Sequence, residues 1–334
     1  MKRIQTSLAG AVFALALLAA SCAHVEPFPE SEPQQEARYR IDFVEVPAPS
    51  LEGNRMGNPV EQPALVFLPP DIAEGERFPV IYYFHGNYQN YLDFHSIGWA
   101  LLKDMQAGTL ARFIMVSVNG ACKDRGGSFW VNSPITGDWE DFVIRDLVPW
   151  VDANYPTVAR NDARGLLGFS MGGFAALNLG LAHADLFGSI FAVSPPTFDE
   201  TGLRDAMLFW DETRRDNYGR AFSPGEGTAI RIPSMTEDPE DRAIQERWQA
   251  GFGGFDRRIA AYLAGEARLR GIRIDWGRYD VPTFIRRCSP GLVAAMKRAG
   301  LPVDGAEYLR GHEFNLGIAR EQAIPFFLSL WGLE

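Results

Sequence analysis

Cysteine and histidine are scarce in this chain. Its 334 residues hold three cysteines and five histidines, none of them grouped at the spacing a bound metal needs, so neither a metal nor another cofactor is expected. Three cysteines cannot build a disulfide framework either. Cys122 and Cys288 have no framework spacing, and two separate thiols are the expectation. Positive charge is also short, with 32 Lys and Arg against 42 Asp and Glu and a net charge of -10. Without a basic cluster to neutralise phosphates, a nucleic-acid partner is excluded. Long apolar runs are missing beyond residue 22, where no segment supplies the ~20 uncharged residues of a membrane-spanning helix.

What remains is a composition that buries well: 46% of residues are hydrophobic and 22% charged, enough for one large domain, or one domain with an insertion. Residues 1–22, "MKRIQTSLAGAVFALALLAASC", begin with Lys2 and Arg3, continue through an apolar run and end in small residues, the pattern of an export signal. "LAAS" before Cys22 resembles a lipobox, with Ala19 where leucine is usual. Cys22 is therefore the expected lipidation site, and Ala23 after it favours the bacterial outer membrane; a simple cleaved signal, leaving a periplasmic or secreted protein, is the alternative. Residues 23–39, rich in Pro, Glu and Gln, read as a flexible tether. The folded domain is expected over residues 40–334.

Within that domain apolar runs bounded by turn residues alternate with helix-compatible stretches. "RIDFVEV" and "ALVFLPP" read as an antiparallel pair, and "PVIYYFHG", "FIMVSVNG", "ARGLLGFS" and "SIFAVSP" as strands covered on both faces. Helical stretches between them predict an α/β fold, a mostly parallel sheet with helices on both faces. Residues 197–270 interrupt the rhythm as an insertion or lid before "GIRIDWG" resumes the sheet.

The segment "RGLLGFSMGGFAALNLGLA" runs from a strand through Gly168-Phe169-Ser170-Met171-Gly172 into a helix. A tight strand-to-helix turn of this kind presents its serine hydroxyl at the carboxyl end of the sheet, so Ser170 is the candidate nucleophile. A serine needs a base oriented by a third group. Of the five histidines, His24 is in the tether, His85 and His95 precede the serine, and His183 lies at the far end of its helix. His312 in "LRGHEFN" follows the last strand and is the candidate base. "IRIDWGRYDVP" offers two acids: Asp280 in the turn is preferred, and Asp275 on the strand remains the alternative, with Arg273 or Arg278 near enough in sequence to pair with it. The backbone N–H groups of Met171 and Asn87 are the candidate oxyanion donors. Trp130 is divided between core and acyl-pocket wall, Trp139 and Glu140 read as structural, and the aromatics Phe209, Trp210, Tyr218, Trp248, Phe252 and Phe255 of the insertion read first as its own small core.

"PVIYYFHGN", "SFWVNSPITGDWEDFVIRDLVPWVDANY", "RGLLGFSMGGFAALNLGLAHADLFGSIFAVSP" and "WGRYD" followed by "GHEF" together resemble the esterase D or Putative esterase family of α/β-hydrolases, over roughly residues 60–196 and 271–330. That resemblance implies the α/β-hydrolase fold, a triad of Ser170, Asp280 and His312, and an oxyanion hole at Asn87 and Met171. The expected function is that of an exported serine carboxylesterase acting on feruloyl- or acetyl-carbohydrate esters through an acyl-enzyme, meeting the membrane only through its lipid. An acyltransferase with the same triad, or a non-catalytic surface-binding lipoprotein of the same fold, are the alternatives.

Metabolic labelling with a palmitate analogue in the native host is expected to mark the protein, and Cys22→Ala to abolish the label. Unmodified protein beginning near residue 22 would refute lipidation.

Overall fold

The apolar runs come together as one eight-stranded sheet in the computed structural model, which describes residues 39–334. The export signal, Cys22 and nearly all of the tether lie outside the described residues. The strands are β1 (Arg40–Pro47), β2 (Glu61–Leu68), β3 (Val80–Phe84), β4 (Ile114–Val118), β5 (Arg164–Phe169), β6 (Ser189–Val193), β7 (Gly271–Gly277) and β8 (Val303–Tyr308). Their order across the sheet is β1-β2-β4-β3-β5-β6-β7-β8. Strand β2 is antiparallel to both neighbours, and every other pairing is parallel.

Strands β3 to β6 are buried at every position, as parallel strands with two covered faces must be. Alternation along each strand divides the core into two layers. Ile81, Tyr83, Leu167 and Phe191 face helix α1 (His95–Gln106) and the closing helical run that ends in Ile324–Trp331. Val80, Tyr82, Phe84, Leu166 and Ile190 face the other layer. That layer holds α2, a continuous helical run over residues 139–154, with α3 (Met171–Ala182) and, further along the chain, the long helix Thr283–Arg298. Two stretches widen to π-helix, Phe142–Leu147 and Ala319–Ala323, and each is followed within two residues by a proline, Pro149 and Pro325. A proline can neither donate to the carbonyl four residues back nor tolerate its close approach, so the turn before it opens.

Between β6 and β7 the chain forms no strand of the sheet. It makes α4 (Gly202–Phe209), α5 (Glu212–Phe222), α6 (Pro239–Phe252) and α7 (Phe255–Ala264). The first three meet around the buried ring of Tyr218, whose centroid lies 4.8 Å from those of Trp210 and Phe252 and 5.1 Å from that of Trp248. The phenol donates to Trp248 O at 2.6 Å and accepts from Phe252 N at 3.0 Å, so its burial leaves no polar atom unpaired. Cys122 and Cys288 are free and buried. Burial pushes the Cys122 thiol up to about 12 and the Cys288 thiol to about 11, which leaves both as inert hydrophobes at neutral pH.

Candidate active site

In a parallel sheet the carboxyl ends of the strands lie along one edge, and here they bring together residues far apart in sequence. Ser170 ends β5 and sits at φ 52°, ψ -117°, a sparsely populated conformation held only where the surroundings force it. Its neighbours show what forces it. A side-chain carbon on Gly172 would overlap Phe84 O at the end of β3, one on Gly168 would overlap Gly172 O, and one on Gly173 would come within 3.0 Å of Val193 O. The glycines let α3 begin hard against two strand ends, and the serine between them is turned outward.

His312, after β8, places Nε2 2.8 Å from Ser170 Oγ and Nδ1 2.7 Å from Asp280 Oδ1. An ionised carboxylate can only accept, so Nδ1 carries the proton and Nε2 is the lone pair facing the serine hydroxyl. Asp280, in the turn after β7, is buried; its Oδ2 accepts from Gly277 N and from Ser194 Oγ, each at 2.9 Å. The alternative acid lies elsewhere. Asp275 Oδ1 accepts from Arg273 Nε at 2.6 Å and Ala306 N at 2.9 Å, on the strand itself, and burial raises its carboxyl above the ordinary carboxylate value against the pull of Arg273.

Asn87 and Met171 border the same cleft as Ser170 and His312. Met171 opens α3, so its N–H is one of the helix-start donors with no acceptor inside the helix. Asn87 follows β3, and its Oδ1 accepts from Tyr88 N at 3.1 Å and from Asn217 Nδ2 at 3.0 Å. Asn217 belongs to α5, so the helices between β6 and β7 hold the loop that carries Asn87. Sequence reading missed Asn217, Ser194 and Tyr308. Ser194 and Tyr308 had a usable signal, since both stand at the carboxyl ends of strands; Asn217 had none.

The cleft has a volume of about 310 Å³. Phe129, Trp210, Tyr218, Phe252, Phe284 and Ile285 make most of its walls, with Tyr88, Phe209 and Val281 toward its mouth. Two expectations change here. Trp210, Tyr218 and Phe252 are cleft walls as well as packing partners of one another, because their core opens directly onto the site; Phe209 lines the cleft from an exposed position, and Trp248 and Phe255 stay buried behind. Trp130 is fully buried and outside the cleft. Phe129 and Trp130 both have positive φ, 55° and 48°, and this turn sends Phe129 to the cleft and Trp130 beneath it, edge-on to Phe84 and His85 at 4.9 and 5.0 Å. Trp139 is core, with Nε1 donating to Thr136 O at 2.8 Å, and Glu140 Oε1 lies 2.7 Å from His183 Nε2. Arg214 borders the cleft but is ion-paired with Asp211.

The model of the family described as "Putative esterase" matches residues 54–251 of this sequence, more than half of the chain. The chain belongs to that family. The match spans Asn87 and the Ser170 turn, while Asp280 and His312 lie beyond it. Among curated relatives, an esterase of Mycobacterium tuberculosis is 34% identical over 137 residues, 39% of this chain and 28% of that one. An endo-1,4-beta-xylanase/feruloyl esterase of Xylanibacter ruminicola is 30% identical over 153 residues, 43% of this chain and 21% of that one. The similarity thus spans less than a third of either relative's length. Among solved structures, an S-formylglutathione hydrolase from Staphylococcus aureus superposes with a TM-score of 0.60 at 11% identity, covering 87% of this chain and 98% of the other. The fold of this esterase-family chain is that of the α/β-hydrolases.

His85, at the end of β3, has a structural part beneath the site. It is fully buried, with Nδ1 2.8 Å from Gly86 O and Nε2 accepting from Gly120 N at 2.9 Å. Burial lowers its pKa to about 4, against the backbone bond to Gly86. Because the folded value lies below the unfolded one, the stability from neutral His85 is complete above pH ~6.5 and is lost as pH falls toward 4, about 3 kcal/mol in all. Denaturant titrations at pH 7.0 and 4.5 should show His85→Gln, which keeps a donor and an acceptor, losing roughly 2 to 3 kcal/mol less than the unsubstituted protein over that interval. Equal losses would contradict a buried neutral imidazole.

Proposed function

We propose that this chain is a serine carboxylesterase whose substrates carry a bulky, flat acyl group. The observation that supports it is the Ser170–His312–Asp280 alignment, at 2.8 and 2.7 Å, opening onto an aromatic-walled cleft. In this reading His312 Nε2 takes the Ser170 proton as Oγ attacks the ester carbonyl, and Asp280 stabilises the imidazolium through Nδ1–H. The N–H groups of Met171 and Asn87 receive the charge that develops on the carbonyl oxygen. His312 then returns the proton to the departing alcohol, and water repeats the sequence in reverse to release the acid.

A volume of about 310 Å³ is at the lower end for small-molecule sites. It exceeds what an acetyl group needs. Seven aromatic side chains, Tyr88, Phe129, Phe209, Trp210, Tyr218, Phe252 and Phe284, border it, which favours an aromatic acyl group by stacking and edge-on contact. The feruloyl esterase named among the relatives accords with that choice, and a carbohydrate alcohol is part of the same proposal. So are export and anchoring through a lipid on Cys22, supported by the Lys2-Arg3 start, the apolar run and "LAAS".

Ser170→Ala and His312→Ala should each reduce ester hydrolysis by roughly 10⁴-fold, because members of a triad act as a unit. Asp280→Asn should fall nearly as far and Asp275→Asn by less than about tenfold; the reverse order would move the acid to Asp275. At equal enzyme concentration, kcat/KM should rank methyl ferulate above p-nitrophenyl palmitate, and preference for the palmitate would overturn the aromatic-acyl reading.

A further inference from the structure

Asp280 has one oxygen on His312, and the other is met by a side chain outside the triad. Ser194, directly after β6, is fully buried and sits at φ 48°. Glycine adopts such a backbone without strain and serine does not, so the serine holds that conformation against a cost. Its Oγ lies 2.9 Å from Asp280 Oδ2 and 2.9 Å from the hydroxyl of Tyr308, the last residue of β8.

The direction of these bonds follows from counting protons. An ionised carboxylate has none to give, so the Ser194 hydroxyl donates to Asp280. Its lone pairs are then what Tyr308 meets, and the Tyr308 O–H donates to Ser194. The other acceptor within reach of that phenol, Glu313 O, is more distant at 3.2 Å. Burial raises the Tyr308 pKa above its ordinary value, the hydrogen bond with Ser194 opposing it, so the phenol is protonated at neutral pH. The other charged groups around the acid are His312 itself, Asp275 paired with Arg273, Arg278 paired with Glu307, and Glu313 on the loop after β8.

We propose that Tyr308 and Ser194 form a positioning chain, Tyr308 O–H to Ser194 O–H to Asp280 Oδ2, which fixes the plane of the carboxylate and keeps Oδ1 aligned on His312. Gly277 N–H also binds Oδ2, but a single donor in the acid's own turn leaves the carboxyl free to swing about that contact. Ser194, on the neighbouring strand, ties the acid to the sheet. Neither residue lines the cleft. The inference rests on the triad reading of the site.

The test is a double-mutant cycle of Ser194→Ala and Tyr308→Phe, read by kcat, KM and the acid limb of the kcat/KM–pH profile for a short p-nitrophenyl ester. Ser194→Ala should lower kcat about tenfold with KM within about twofold. It should move the acid limb upward by about half a pH unit, because a carboxylate with one donor fewer holds the imidazolium proton more tightly. Tyr308→Phe should move both readouts the same way by less. The double variant should match Ser194→Ala alone, since the proposed chain runs from Tyr308 through Ser194. Unchanged kcat in Ser194→Ala, or additive losses with an unmoved limb, would overturn the chain. If Ser194→Ala fails to fold, the limb of Tyr308→Phe decides. Ser170→Ala measured alongside separates the two readings: activity surviving in that variant removes the triad, whereas its loss together with an unaffected Ser194→Ala removes only the positioning chain.

Discussion

The closeness of α3 to the ends of β3 and β6 is the constraint on which the site depends. At Gly172 the helix start touches Phe84 O, and at Gly173 it approaches Val193 O; any side chain at Gly172 would push the helix away from the sheet. With glycine there, the turn between β5 and α3 is too short for a relaxed backbone, and Ser170 absorbs the misfit at φ 52°. Everything else in the site is referred to that point. His312 and Asp280 reach it from β8 and β7 because parallel strands end along one edge, and Asn87 reaches it because β3 is the next strand over.

The strands, their order of appearance and the serine turn were legible in sequence because each is written in local residues: fully apolar runs, glycines around a serine, a histidine after a glycine. Asp280 was preferred in sequence with Asp275 as the alternative, and what separates the two is which carboxylate has a cation of its own. Arg273 pairs with Asp275, while Asp280 faces His312 from the turn. Trp130 could not be placed from sequence. Its position depends on two successive left-handed residues at Phe129 and Trp130, neither of them glycine, and the space it fills exists because Gly120 has no side chain. The aromatics of residues 197–270 had been weighed as either core or pocket, yet a core that opens at one side is both.

Buried polar atoms in the site are treated in two different ways. His85 is kept neutral between a backbone acceptor and a backbone donor, which makes it rigid and dependent on pH. Asp280 is surrounded by donors from three directions: a ring nitrogen, a backbone amide and a hydroxyl. The first arrangement supports the floor under Trp130, and the second supports a charge that must persist while the imidazole beside it changes its own.

The bond from Asn217 to Asn87 joins the cleft wall to the loop that carries the proposed oxyanion donor. Helix α5 therefore does two things at once: its Tyr218 shapes the cleft, and its Asn217 braces Asn87. A graft that exchanged residues 197–270 for the corresponding segment of another family member would transplant more than a preference for one substrate. It would also replace the bracket that holds the Asn87 loop, so under the proposed function specificity and turnover in this chain would change together.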